Sequence, residues 1–170
     1  MLASCARPLP RSNGILATKL YCTNASVDDE NSRHLHQLAG PTHTYDAHEL
    51  GDKEALDLLA KACPAASRLE LKQDAQVVLV WNLSDKLVNG SRGVVAAVNA
   101  ASGLPVVRFD NGIELEIEPH TWSRSKDGRK ASRTQLPLKL AWALTVHRSQ
   151  VTSPLCFSSP TICAPCACRT

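Results

Sequence analysis

Between Leu69 and Ile117 the chain carries short apolar segments at a two-residue period, each closed by turn chemistry, and this series constrains the fold more than any other feature. Leu69 and Leu71 open it. Gln76-Val-Val-Leu-Val-Trp81, Gly93-Val-Val-Ala-Ala-Val98, Leu104-Pro-Val-Val-Arg-Phe109 and Ile113-Glu-Leu-Glu-Ile117 follow. Asn89-Gly90, Ser102-Gly103 and Asp110-Asn-Gly112 separate them, and these residue types tolerate the left-handed backbone of tight turns. The alternation from Ile113 to Ile117 gives a strand with one buried and one wet face. Four or five short strands at this spacing curl into a small barrel or sheet; the segment is too short for a sandwich.

Helical periods flank the series. From Gly14 to Asn24 an apolar run predicts a strand, and a polar helix follows, capped by Ser26 with Asp28, Asp29 and Glu30 in its first turn. Leu35 and Leu38 face inward, and Gly40-Pro41 stops the helix. A second helix spans Asp52 to Cys63, with Ala55, Leu56, Leu59 and Ala62 on one stripe and Pro64 as terminator. His34, His36, His43 and His48 have no cysteine or carboxylate at a zinc-like offset and read as surface histidines. Ser123 to Thr134 is polar and basic, a hairpin or exposed loop. Leu136, Leu138, Leu140, Ala141, Trp142 and Leu144 predict a buried helix starting near Pro137, with Trp142 in the core and Thr145-Val-His-Arg-Ser-Gln150 projecting from its end.

A chain of 170 residues with 44% hydrophobic and 21% charged residues has room for one ordinary domain, or a small domain inserted in part of another. The net charge of +3 is too mild to imply a nucleic-acid partner by itself. Its distribution says more. Residues 1–75 carry eight Lys/Arg against ten Asp/Glu, whereas residues 121–150 carry seven Lys/Arg against Asp127 alone. Of seven cysteines, only Cys22 and Cys63 fall between Gly14 and Gln150, which fits a reduced intracellular protein better than a disulfide scaffold. No apolar run is long enough to span a membrane, so no membrane partner is expected. The acid-free start MLASCARPLPRS resembles a weak transit peptide, opposed by Pro8 and Pro10. The end, VTSPLCFSSPTICAPCACRT, lacks amphipathic period, and its CxxC has no second knuckle to complete a four-ligand zinc site.

The ordered set TKLYCTNASVDDEN, LELKQDAQVVLVWNLSDKLVNGSRGVVAAV, GLPVVRFDNG and QLPLKLAWALTVHRSQ resembles the C-terminal motor region of the petite-integration-frequency (Pif-type) DNA helicases from about Gly14 to Gln150. The resemblance implies an α+β fragment: a small Src-homology-3-like β-barrel inserted in a partial RecA-like α/β domain. Its expected parts are a disordered N-terminus (1–13), a partial RecA-like 2A segment with a motif IV-like region (14–68) and the 2B barrel (69–122). A basic loop (123–135), a RecA-like motif V helix (136–150) and a disordered, aberrant tail (151–170) complete it. The tail is expected to be read-through or frame-shifted sequence, because Val151-Thr-Ser-Pro stands where the family has glycine and an apolar strand.

The resemblance further implies ATP-dependent five-prime to three-prime movement on DNA in genome maintenance: repair, recombination, telomeres or mitochondrial DNA, in the nucleus or the mitochondrion. Single-stranded DNA and an ATP-binding RecA-like domain are the implied partners, with ATP and Mg2+ as cofactors of the parent family. Thr145, His147, Ser149 and Arg92 are the candidate DNA contacts, and Arg148 and Gln150 the candidates for coupling to the nucleotide cleft. A cluster of hydroxyl, imidazole, guanidinium and amide groups can hold a backbone phosphate while sensing such a cleft. The chain has no G-x-x-x-x-G-K-[ST] loop and ends before the family's motif VI, so weak DNA binding without catalysis is expected of it. The alternative is a non-catalytic small-barrel module that binds RNA or a protein partner.

Overall fold

The computed structural model describes residues 15–126 and 129–145. In chain order they form β1 (Lys19–Tyr21), α1 (Asn24–Gln37), β2 (His43–Asp46), β3 (His48–Gly51), α2 (Lys53–Ala62), β4 (Arg68–Leu71), β5 (Gln76–Leu79), β6 (Arg92–Val98), β7 (Pro105–Phe109), β8 (Glu114–Glu116), β9 (His120–Lys126), β10 (Arg129–Gln135), β11 (Leu138–Leu140) and β12 (Ala143–Thr145).

The period-two series becomes a five-stranded antiparallel sheet in the order β11-β5-β6-β7-β8. Its core brings together Val77, Leu79, Val95, Val107, Phe109, Ile117, Leu136 and Leu138, and the same cluster takes in Leu35 of α1 and Trp142. The expected turns fall between the strands. Gly112 has φ +82°, a conformation costly for residues with a Cβ, and Asn111 beside it donates its amide to the Lys86 carbonyl. Gly93 serves a different need. A Cβ there would stand 2.6 Å from Val107 Cγ1 and 2.8 Å from the Arg108 carbonyl oxygen, so β6 and β7 approach this closely only without a side chain.

The helix expected from Pro137 is not formed: this segment makes two strands. Leu138–Leu140 pairs antiparallel with β5, and Ala143–Thr145 pairs in parallel with β1, Leu144 opposite Leu20 and Thr145 opposite Tyr21. A short, almost wholly apolar run suits a strand buried on both faces as well as a buried helix, and here the open edges of β5 and β1 decide. Trp142 is 5% exposed, in the core as expected.

Of the two readings of the basic segment, hairpin or exposed loop, the strand pair is the one formed, by residues 120–126 and 129–135. β9 and β10 align from Arg129 opposite Lys126 to Gln135 opposite His120, and β3 adds to the far side of β10. Basic composition obscured an alternation in which Trp122, Ala131, Arg133 and Gln135 point inward. Arg133 is buried because its charge is matched: its Nε lies 2.7 Å from Glu49 Oε1, and a terminal nitrogen donates to the Ala65 carbonyl at 3.1 Å. The helix α2 closes this region, setting Ala55 and Leu59 against Trp122 and Ala131.

At α1 the cap is Thr23 rather than Ser26. The Thr23 hydroxyl oxygen accepts the Ser26 N–H at 3.3 Å, so the helix begins earlier and no acid lies in its first turn. His34 is half-buried and stacks on Trp142, with ring centroids 5.4 Å apart. Cys22 is exposed and Cys63 buried, both as free thiols.

Candidate nucleic-acid interface

The parallel pair β1–β12 ends on one side of the molecule, and chain direction determines what gathers there. Tyr21 is the last residue of β1, and Cys22 and Thr23 lead directly into α1. Thr145, paired with Tyr21, therefore lies beside the N-terminus of that helix. The carboxyl ends of parallel strands and the N–H groups of a helix's first turn, which no helical carbonyl can reach, together make a place where polar and anionic groups bind.

A cleft of about 550 Å³ opens at this point between α1, β4, β11 and β12, bordered by Asn24, Asn31, Arg68, Lys139, Leu140 and Thr145 among others. Thr145 is 8% exposed and forms part of the wall. Arg68 is ion-paired to Glu70 at 3.3 Å, and Glu70, Asp28 and Lys139 also border the cleft, so its lining carries two charges of each sign.

Register brings a second predicted residue to the same side. Lys139 and Arg92 both lie opposite Val78, one on each neighbouring strand, and side chains directly opposite in antiparallel strands share a face. Val78 packs on Ala141 and Leu144 of the segment that ends in Thr145. Arg92 and Thr145, 53 positions apart in numbering, thus belong to adjoining surfaces. His147, Arg148, Ser149 and Gln150 lie outside the described residues, as does the cysteine-rich tail.

Three side chains that the sequence reading passed over hold this wall. Asn31 Oδ1 accepts the Ala143 N–H at 2.9 Å while its Nδ2 donates to the Ala143 carbonyl at 3.2 Å, so the side chain acts as a strand edge for β12. Gln76 Nε2 donates to the carbonyls of Ala141 (3.0 Å) and Leu16 (2.9 Å), and its Oε1 accepts the Leu16 N–H at 2.8 Å. The Thr18 hydroxyl donates to the Ala141 carbonyl at 2.9 Å. A signal for Asn31 was present: Val27, Asn31 and Leu35 recur at four-residue spacing, which puts an amide in the apolar stripe of α1.

Glu30 is the charged counterpart. Its side chain is almost fully buried yet meets Lys19, Arg33 at 3.1 Å and His34 at 3.2 Å. The hydrogen bond from Lys19 holds its carboxyl below the usual carboxylate range, against the opposing effect of burial. This cluster ties β1 to α1 behind the cleft.

The family profile described as DNA helicase Pif1, 2B domain, matches residues 54–98, which take in most of α2 and the strands β4 to β6. ATP-dependent DNA helicase PIF1 of Xenopus laevis is 43% identical over 142 residues, covering 81% of this chain and 22% of that protein. Its Homo sapiens counterpart is 42% identical over the same coverage. Among solved structures, Pif1 helicase from Candida albicans superposes with a TM-score of 0.73 at 31% identity, covering 86% of this chain and 39% of that one. Bacteroides Pif1 bound to single-stranded DNA gives 0.62 at 30% identity, covering 85% and 34%. The chain thus spans about a fifth of the length of the curated relatives it matches. Matched in sequence and in the path of its strands, this chain belongs to the Pif1-type DNA helicase family, of which it carries one segment.

Proposed function

We propose that this chain is the part of an ATP-dependent five-prime to three-prime DNA helicase in which a small Src-homology-3-like barrel joins the second RecA-like motor domain, and that it holds single-stranded DNA at the β12 edge. The observation that carries this reading is the β1–β12 pairing, which sets Thr145 beside the α1 N-terminus and next to the sheet face bearing Lys139 and Arg92. Thr145 and Arg92, with His147 and Ser149 beyond the described residues, are assigned to the DNA backbone. Arg148 and Gln150 are assigned to the nucleotide cleft shared with an ATP-binding RecA-like partner domain.

ATP and Mg2+ belong to the whole motor, and the residues described here do not fit them. The sequence has no phosphate-cradling G-x-x-x-x-G-K-[ST] loop, and among the described residues no three His, Cys, Asp or Glu side chains converge as metal ligands. No hydrolysis step is assigned to this chain. Its contribution is to bind and orient the strand, in a protein that serves genome maintenance in the nucleus or the mitochondrion.

Fluorescence anisotropy of the purified chain with a labelled oligothymidylate tests the reading. Affinity should fall linearly with the logarithm of salt concentration, and Arg92→Ala should make that slope shallower by about 0.7, the value of one phosphate contact on a single strand. Thr145→Ala should weaken binding about three- to tenfold, the worth of one hydrogen bond. Binding indifferent to salt and to both substitutions would refute the assignment.

A further inference from the structure

An aromatic cluster lies outside the surfaces considered so far. Trp81, just beyond β5, leaves 42% of its surface exposed although it is one of the largest apolar side chains available for burial. Its ring is nevertheless fixed in place. His120 stacks on it with centroids 4.3 Å apart and planes 21° apart. Trp122 stands edge-on to both, 6.3 Å from Trp81 at 87° and 4.8 Å from His120 at 82°. Trp122 is itself anchored against Ala55, Leu59 and Ala131. Its buried indole N–H has no oxygen or nitrogen acceptor among the described residues. The exposed part of Trp81 is therefore held at a set angle by two rings, one of them rooted in the core.

The adjoining strand adds a cation on the same face. Arg124 follows Trp122 by two positions on β9, on the same face of the strand, and is exposed. Lys130, exposed on β10 opposite Ser125, lies on the other face of this strand pair. An oriented π surface with a cation on the same face of the adjoining strand suits a ligand that is flat and apolar in one part and anionic in the next, which is the repeating chemistry of an unpaired nucleotide.

We propose that Trp81, held by His120 and Trp122, is a stacking platform for an unpaired nucleobase, with Arg124 taking the adjoining phosphate. The proposal rests on the single-stranded DNA reading above and adds a second contact point, on the barrel side of the chain. A base stacked on Trp81 needs no hydrogen-bond readout, so the site discriminates bases from their absence rather than one base from another.

The test compares a twelve-nucleotide oligothymidylate with an abasic oligonucleotide of the same length and charge, using the full chain, anisotropy and intrinsic tryptophan fluorescence. The wild type should bind the thymidylate about tenfold more tightly than the abasic strand, with quenching on binding. Trp81→Ala should erase the preference and most of the quenching, while Trp81→Phe, which keeps an aromatic face, should retain most of the preference. Far-UV circular dichroism confirms that both variants fold. Equal affinity of the wild type for the two strands, or a preference that survives Trp81→Ala, overturns the platform while leaving the DNA reading intact. Failure to bind either strand overturns both.

Discussion

Replacing Asn31 with alanine removes both hydrogen bonds that the side chain makes to Ala143 and offers nothing in return. Ala143 is fully buried and Asn31 is 6% exposed, so water does not reach the groups left behind. The N–H loses a 2.9 Å bond, and a stranded buried donor costs about 1–3 kcal/mol. The carbonyl loses a longer bond, 3.2 Å, and retains a second lone pair, so its share is about 0.5–1.5 kcal/mol. About 1.5–4.5 kcal/mol in total is a large fraction of the ~5–15 kcal/mol that holds a domain folded. Urea denaturation followed by tryptophan fluorescence reads the change, because buried Trp142 immediately precedes the affected residue. With a slope of about 2 kcal/mol per molar urea, the midpoint should fall by roughly 1–2 M. Gln37→Ala, at an exposed position of the same helix, should remain within about 0.5 kcal/mol of wild type. If Asn31→Ala unfolds together with Gln37→Ala, the amide does not serve as the edge of β12, and the support assigned to Thr145 fails with it.

Two further outcomes follow from the packing and the charges. Gly93→Ala drives a methyl group into Val107 and the Arg108 backbone, and because backbone cannot swing aside the substitution should cost about 1–3 kcal/mol, read as a lower melting temperature. Glu30 has its pKa lowered from 4.5 in the folded chain, so its contribution is present above that value and is lost as pH falls through the folded pKa. Glu116, lowered by its bonds to Ser102 and Asn99, titrates in the same direction, so the Glu30 part must be isolated as the difference between wild type and Glu30→Gln. That difference should shrink in denaturation experiments taken below pH 4.5; a difference constant from pH 7 to pH 2 would show that Glu30 gains nothing from its ion cluster.

What the sequence determined is local. Asn89-Gly90, Ser102-Gly103 and Asp110-Asn-Gly112 each placed a turn, because backbone geometry at a turn depends on the residues within it. The second helix was legible from Asp52 to Cys63, against the observed Lys53–Ala62, because its apolar stripe and its terminator Pro64 lie within one stretch of chain. The tertiary structure decided matters that depend on distant partners. Leu138–Leu140 and Ala143–Thr145 became strands because β5 and β1 offered open edges, and an apolar run of that length does not distinguish helix from strand by its period. Asn31 and Gln76 gained their roles from carbonyl and amide groups 112 and 65 residues away. Thr145 could be picked out by its place in a motif, but its place beside a helix N-terminus follows only from the parallel pairing of the two ends of the described chain, a contact no local pattern encodes.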